Sequence, residues 1–468
     1  MTATDVDIEH DIERDIDVLA DYPVFAAYNA NVDAIVRVDD ELAAALGEPV
    51  DDDSPEKLHA TGELVTALQR TMTAGHGNEL PMSDELAATL LEVVEPDEQG
   101  LGGQAGLMSN VLSVLGAAPV FYTYMLSDRQ RATFQRPDRI RYPVNEDGEL
   151  ALVPLTDAPV ADQTKVNFIF EFTEGTEFHG VTATDDTRLI AAMRPERFNL
   201  EIGDLDEVVD RLGEEVGCAL LSGYHSLKRR YEDGTGFEEH VASGKRTLRR
   251  LREGHDMRVQ VEYGVTHYEE LRRLIREEIV PEADLVGLDG RELSMLVSDL
   301  GLGDALPETG RPAVDDYEAL AAVLDELDVD GVRLHATDYF LTATDDYLDP
   351  EAGRRGFEFA AVVAAAKASG GRVRTPEDVQ GGLAYPPSDD GVAAVAELAD
   401  HVGAETTAAG SLATDAVVAV PNRVVPNPQG TVGIGDAVAA ASFALENALV
   451  DADPARSEER LSGSHADD

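Results

Sequence analysis

Lysine is nearly absent from this chain of 468 residues: only Lys57, Lys165, Lys228, Lys245 and Lys367 accompany its 32 arginines. Positive charge as a whole is scarce, with 37 basic against 92 acidic residues and a formal net charge of −55. Such a surface repels phosphate backbones and anionic lipid, which excludes nucleic acid and membrane surfaces as partners. The acids are spread along the chain rather than gathered in a tail. A charge of this size opposes a compact fold unless counterions screen it, and in about 1 M salt the Debye length falls to about 3 Å. The composition therefore reads as that of a halophilic protein.

Cysteine is represented by Cys218 alone, in the apolar run Val216-Gly217-Cys218-Ala219-Leu220-Leu221, which excludes an internal disulfide and a cysteine-based metal cluster. No apolar run approaches the ~20 residues of a membrane span. Met1 to Asp21 is acidic and lacks the basic start and apolar stretch of a signal peptide, so the expected location is the cytoplasm. By composition both ends, Met1 to Asp21 and Asp451 to Asp468, read as unstructured. No Gly-x-Gly-x-x-Gly opens a β-α unit and no Ser-His-Asp or Cys-His arrangement stands out, which leaves dinucleotide oxidoreductases and hydrolases without support. The eleven histidines show no metal-ligand spacing, and His225 and His335, each after an apolar run, read as packing or loop residues.

What is present is an alternation of short apolar strands with helical stretches, the pattern of βα units around a mostly parallel sheet. Strands are expected at Val24 to Tyr28, Pro119 to Thr123, Cys218 to Leu221 and Val259 to Glu262. Helices are expected at Gly106 to Leu115, Tyr268 to Ile279, Phe357 to Ser369 and Asp436 to Val450, from apolar residues three and four apart. Residues 35–97 and 141–200 break this rhythm. They read either as one small domain built from two insertions or as long surface excursions, with 1–34, 98–140 and 201–468 forming the large part.

The most informative segment is Asn427-Pro428-Gln429-Gly430-Thr431-Val432-Gly433-Ile434-Gly435-Asp436, a glycine-rich loop feeding a helix. Gly433 and Gly435 let backbone N–H groups around Ile434 turn toward one point, and the helix start adds its unpaired donors and dipole, so an anion fits there. Asp436 would lie beside a phosphate in transfer and accept the proton of an attacking hydroxyl. Ordinary helix capping produces the same pattern.

Together with five further segments this loop resembles the archaeal ADP-dependent glucokinase and phosphofructokinase family, a branch of the ribokinase-like kinases. The segments are Tyr28-Asn29-Ala30-Asn31-Val32-Asp33-Ala34-Ile35, Gly102-Gly103-Gln104-Ala105-Gly106, Leu126-Ser127-Asp128-Arg129-Gln130, Leu221-Ser222-Gly223-Tyr224-His225 and Val286-Gly287-Leu288. They follow the family's order and span nearly the whole chain. The resemblance implies a ribokinase-like three-layer α/β sandwich with a β-rich lid over residues 35–97 and 141–200. It also implies an ADP-dependent sugar kinase that moves the β-phosphoryl of MgADP to a hexose or hexose phosphate, glucose or fructose 6-phosphate, and releases AMP.

The same resemblance makes Asp436 the catalytic base and Asp33 the carboxylate that holds sugar hydroxyls; a turn aspartate is the alternative for Asp33. Gly102 and Gly103 either admit the sugar to the backbone or form a tight turn. Glu79 looks like the lid glutamate of glucose-accepting members, or is a surface acid. Arg194 resembles the family's phosphate-contacting arginine, or forms a surface ion pair. For Mg²⁺ the family uses His-x-Glu and Asn-x-x-Glu, whereas this chain has Gln260-Val261-Glu262 and Asp289-Gly290-Arg291-Glu292. Glu262 and Glu292 are thus retained and Asp289 is a substitute ligand, with ordinary strand-end acids as the alternative. These departures keep a second class open, a non-catalytic sugar- or nucleotide-binding regulator, beside an ATP-using kinase of the same fold. No motif assigns the basic pocket that a phosphorylated sugar requires.

Overall fold

The computed structural model describes residues 3–50, 57–264, 266–345, 349–430 and 432–453. Thr431 of the glycine-rich loop, and the stretch after Asp453, lie outside the described residues.

The apolar runs assemble into an 11-stranded sheet. From Gly331–His335 it passes through Leu285–Asp289, Arg258–Glu262, Cys218–Ser222, Pro23–Tyr28 and Ala118–Tyr122 to Arg141–Glu146, every neighbour parallel. Antiparallel strands finish both edges, Tyr339–Thr344, Val417–Pro421 and Leu412–Ala413 on one side and Glu149–Pro154 on the other. These parallel strands are buried almost end to end, as strands covered by helices must be. The crossover from Pro23–Tyr28 to Ala118–Tyr122 runs one way along the sheet, and those from Cys218–Ser222 onward run the other. Right-handed crossovers then place helices on both faces, and the reversal opens a crevice at the carboxyl ends of Pro23–Tyr28 and Cys218–Ser222. This is a three-layer α/β sandwich with a mostly parallel central sheet.

A second, 5-stranded sheet has the order Asn78–Met82, Thr187–Met193, Val166–Phe172, Asn31–Arg37, Glu98–Gly102. Alternation along its strands separates two faces. Val32, Ala34, Val36, Phe168, Phe170, Leu189 and Ala191 form a core of their own with the helices Thr61–Ala74 and Asp84–Val93. The opposite face presents Asp33, Glu79, Asn167, Ile169, Arg188 and Ile190 toward the large sheet's crevice.

Three expectations need correction. Residues 141–154, expected in the lid, form a hairpin on the edge of the large sheet; Asp147 and Gly148, both at positive φ, make its tight turn. Asn31–Arg37 and Glu98–Gly102, expected wholly or partly in the large part, pair with each other in the small sheet. Ala3–Leu19, expected to be unstructured, is a helix whose Ile12 and Leu19 are buried in the main core and whose Asp15 pairs with Arg355. Its polar composition hid an apolar stripe.

Candidate active site

Between the two sheets lies a cleft of about 360 Å³, bordered by Asp33, Glu79, Gly103, Lys165, Arg194 and Asp436 among others. The small sheet supplies one wall, the carboxyl ends of the large sheet the floor, and the loop before helix Ile434–Asp451 the third side. Asp33, Glu79, Gly103, Arg194, Glu292, Gly433 and Asp436 all line it, while Gly102, Glu262, Asp289, Ile434 and Gly435 lie behind or beside it.

On the sheet wall Asp33 accepts from Asn31 Nδ2 at 2.6 Å. Burial pushes its carboxyl up to about 6, opposed by the Asn31 hydrogen bond and by the Lys165 charge. Gly102 is glycine for a reason other than sugar access: a Cβ there would stand 2.3 Å from both Asn31 Nδ2 and Asp33 Oδ2. Gly103, at φ 79°, precedes the helix Gln104–Leu115, and a Cβ on it would meet Ala30 Cα at 2.7 Å. These two glycines let the chain of Asn29 to Asp33 close on the helix start. Glu79 accepts from Arg194 at 3.0 Å. The Asn167 Oδ1 and Gln104 Oε1 acceptors, buried in residues that line the cleft, have no hydrogen-bond partner among the described residues.

Sequence reasoning passed over Lys165. It is 5% exposed, donates to Asn29 Oδ1 at 2.5 Å, and its Nζ lies 4.5 Å from the centre of the Phe198 ring. Its ammonium is lowered to about 7, by burial first and by Arg194 next, with Asp33 and Glu79 opposing. The signal was its rarity, one of five lysines, at the head of a strand-like run. His225, read as a packing residue, also borders the cleft; its ring presses on Gly264, and burial holds it neutral, with a pKa lowered to about 3.

Opposite the sheet, Gly433 takes φ 67° as the N-cap of helix Ile434–Asp451, a conformation that turns the loop into the helix and that side chains resist. Asp436, in the first turn, has its carboxyl pushed up to about 6 by burial, with Lys367 opposing and Asp33 adding. Burial in turn holds the Lys367 ammonium below its usual range. Among the described residues nothing stands within 4 Å of a Cβ placed on Gly435, so the helix start is open to them on that side.

The acids read for metal sit at the ends of adjacent strands. Glu262, 5% exposed, accepts from Gln260 Nε2 at 2.6 Å and is pushed up to about 7 by burial, with Asp436 and Asp289 adding. Glu292 is pushed up to about 8 by burial and then by Asp289. Asp289 itself is a helix cap: its Oδ1 accepts from Glu292 N at 2.8 Å while Glu292 Oε2 accepts from Asp289 N at 2.8 Å. Among the described residues no group of three or more His, Cys, Asp or Glu could hold a metal by itself. One Asp289 oxygen is thus engaged as a cap that orients Glu292.

The model of the "ADP-specific Phosphofructokinase/Glucokinase conserved region" matches residues 22–445. The chain belongs to this family. Within it, the ADP-specific phosphofructokinase of Pyrococcus abyssi is 32% identical, over 90% of this chain and 97% of the relative. An ADP-dependent glucose/glucosamine kinase of the same organism is 26% identical, over 91% and 94%. Among solved structures, an ADP-dependent kinase in complex with fructose-6-phosphate and ADPβS is 28% identical, covers 97% of this chain and 100% of its own, and superposes with a TM-score of 0.80. The last common ancestor of ADP-dependent phosphofructokinases from Methanosarcinales superposes with a TM-score of 0.83 at 29% identity. Asp33, Asp436 and the other residues bordering the cleft all lie within the matched span. Among the described residues no helix is long and apolar enough to cross a membrane.

Proposed function

We propose that this family member is an ADP-dependent sugar kinase that phosphorylates a hexose or hexose phosphate, releases AMP and uses Asp436 as its base. One observation carries the reading: a wall of sugar-binding groups faces a carboxylate at an open helix N-terminus. Asp33 with the unpartnered acceptors Asn167 Oδ1 and Gln104 Oε1 makes that wall. An unsatisfied buried acceptor costs about 1–3 kcal/mol, and the hydroxyls of a sugar remove that cost. The open backbone around Gly433 to Gly435 receives the nucleotide's phosphate, and Arg194 stands across the cleft to meet the transferred group.

Lys165, Arg188 and Arg194 border the same cleft in a chain poor in positive charge, which favours fructose 6-phosphate as an acceptor. Glu79 beside Arg194 keeps a neutral sugar, glucose, within reach. Asp436 takes the hydroxyl proton as the phosphoryl group departs, and closure of the small sheet over the crevice excludes water.

Mg²⁺ fits here as an ion held by one or two carboxylates and several waters. Glu262 and Glu292, with Asp289 beside them, would hold it, since burial and the nearby Asp289 and Asp436 carboxylates push both glutamates up, a strain that a bound cation offsets. When bound, the ion neutralises charge on the phosphates.

The test is to incubate the protein with Mg²⁺, glucose or fructose 6-phosphate, and either ADP or ATP in multimolar KCl, and separate the nucleotides. AMP formed from ADP together with a new sugar phosphate is the expected result. Turnover of ATP alone, or of neither nucleotide, overturns the reading.

A further inference from the structure

A row of buried polar side chains runs beneath helix Ile434–Asp451 and ends at Glu262. Arg258, Gln260 and Glu262 occupy alternate positions of one strand and so share a face. Glu446 of the helix, 1% exposed, accepts from Arg258 Nη1 at 2.7 Å and from Arg333 Nη2. Arg333, 1% exposed, lies between the rings of Phe357 and Phe443 and also donates to Gln260 Oε1 at 3.4 Å. Gln260, fully buried, donates in turn from Nε2 to Glu262 Oε1 at 2.6 Å.

A helix packed on a sheet has no need of such a row. Replacing a buried ion pair by apolar side chains of similar volume is often neutral or stabilising, so the row argues for position rather than stability. Its chemistry runs one way. A guanidinium only donates, and an amide has one accepting and one donating end. Arg333 therefore fixes Gln260 with its oxygen toward the arginine and its NH₂ toward Glu262.

We infer that Gln260 is a positioning residue for Glu262: held by Arg333, it occupies Glu262 Oε1 and leaves Oε2 for a divalent cation or its water. The inference rests on the reading of Glu262 as a cation ligand. The same helix that anchors Arg333 through Glu446 carries Asp436 in its first turn, so the row sets the cation's carboxylate and the base in one register.

The measurement is Mn²⁺ binding, followed by electron paramagnetic resonance in the presence of ADP, on the full chain and three variants. Gln260→Met, which keeps volume and removes the donor, is expected to weaken Mn²⁺ by about 10- to 100-fold, the usual effect of losing a partner behind a metal ligand. Gln260→His restores a ring N–H and should bind Mn²⁺ to within a few-fold of wild type. If Gln260→Met does not fold, Gln260→Leu is expected to show the same loss, because it too offers no donor. Normal Mn²⁺ affinity in whichever of these two variants folds overturns the inference. Glu262→Gln separates the two failures: if it too binds Mn²⁺ normally, Glu262 is no ligand and both readings fall. If Glu262→Gln alone loses affinity, only the role of Gln260 falls.

Discussion

Arg194 donates to Glu79 Oε1 at 3.0 Å, so the cation suited to a phosphate and the acid suited to a sugar hydroxyl hold each other at the cleft. Each substrate type must divide this pair differently. A neutral hexose takes the Glu79 carboxylate and leaves Arg194 for the transferred phosphoryl group, whereas a phosphorylated one is repelled by the acid. Glu79→Ala is therefore expected to lower kcat/KM for glucose by about tenfold or more, the cost of one lost hydrogen bond to a charged group, while fructose 6-phosphate use holds or improves. Equal changes on both sugars would make Glu79 a surface acid.

Lys165 gives the phosphorylated sugar a pH dependence. Burial lowers its ammonium to about 7, so the side chain is cationic below that value and neutral above it. Because a sugar phosphate needs the cation, KM for fructose 6-phosphate should climb as pH passes from 7 to 9, by at most about tenfold per unit for one proton. KM for glucose should stay flat. Parallel curves for the two sugars contradict this placement of Lys165.

How far the sequence foretold this site depends on how local each feature is. Asp436 and Gly433 were legible because loop, helix start and carboxylate are consecutive, and the strand runs around Val24, Val120 and Val259 announce their own burial. Lys165 and Asn167 were illegible because their neighbours, Asn29 and Asp33, are more than 130 residues away. Separations of 73 and 113 residues likewise hid the links from Arg333 to Gln260 and Glu446. The edges of the small sheet were misjudged at 141–154 because a hairpin reads alike on either sheet, and only pairing with Val120 decides which one it joins.

The helix start at Gly435 can be tested apart from the base. A Cβ there meets nothing within 4 Å among the described residues, and alanine favours a helix over glycine by about 1 kcal/mol. Gly435→Ala should therefore melt at or slightly above the wild-type temperature, and Gly435→Val close to it, while both bind ADP more weakly because the side chain occupies the phosphate's approach. Undiminished ADP binding by calorimetry would remove the phosphate from this loop.

The charge of −55 makes stability a function of salt. Screening offsets self-repulsion, so thermal melts in about 0.1 M and about 3 M KCl should differ by more than about ten degrees. Coincident melts contradict the halophilic reading.

Asp436 bears the central claim, and replacing it by asparagine tests that claim most directly. Asp436→Asn keeps the shape of the side chain and removes the accepting charge. Burial pushes the native carboxyl up to about 6, so it is ionised at pH 7 and protonates as pH falls through 6. In the wild type kcat should accordingly decline below pH 6 by up to about tenfold per unit. In the variant kcat at pH 7 should be lower by about 10² to 10⁴, the range for a positioned acid or base, and that acid limb should vanish. ADP affinity and melting temperature should stay near wild type, since an ionised carboxylate no longer has to be kept out of water. Near-normal turnover in Asp436→Asn, with the acid limb intact, would contradict the mechanism and leave Gly433 to Asp436 as a helix start alone.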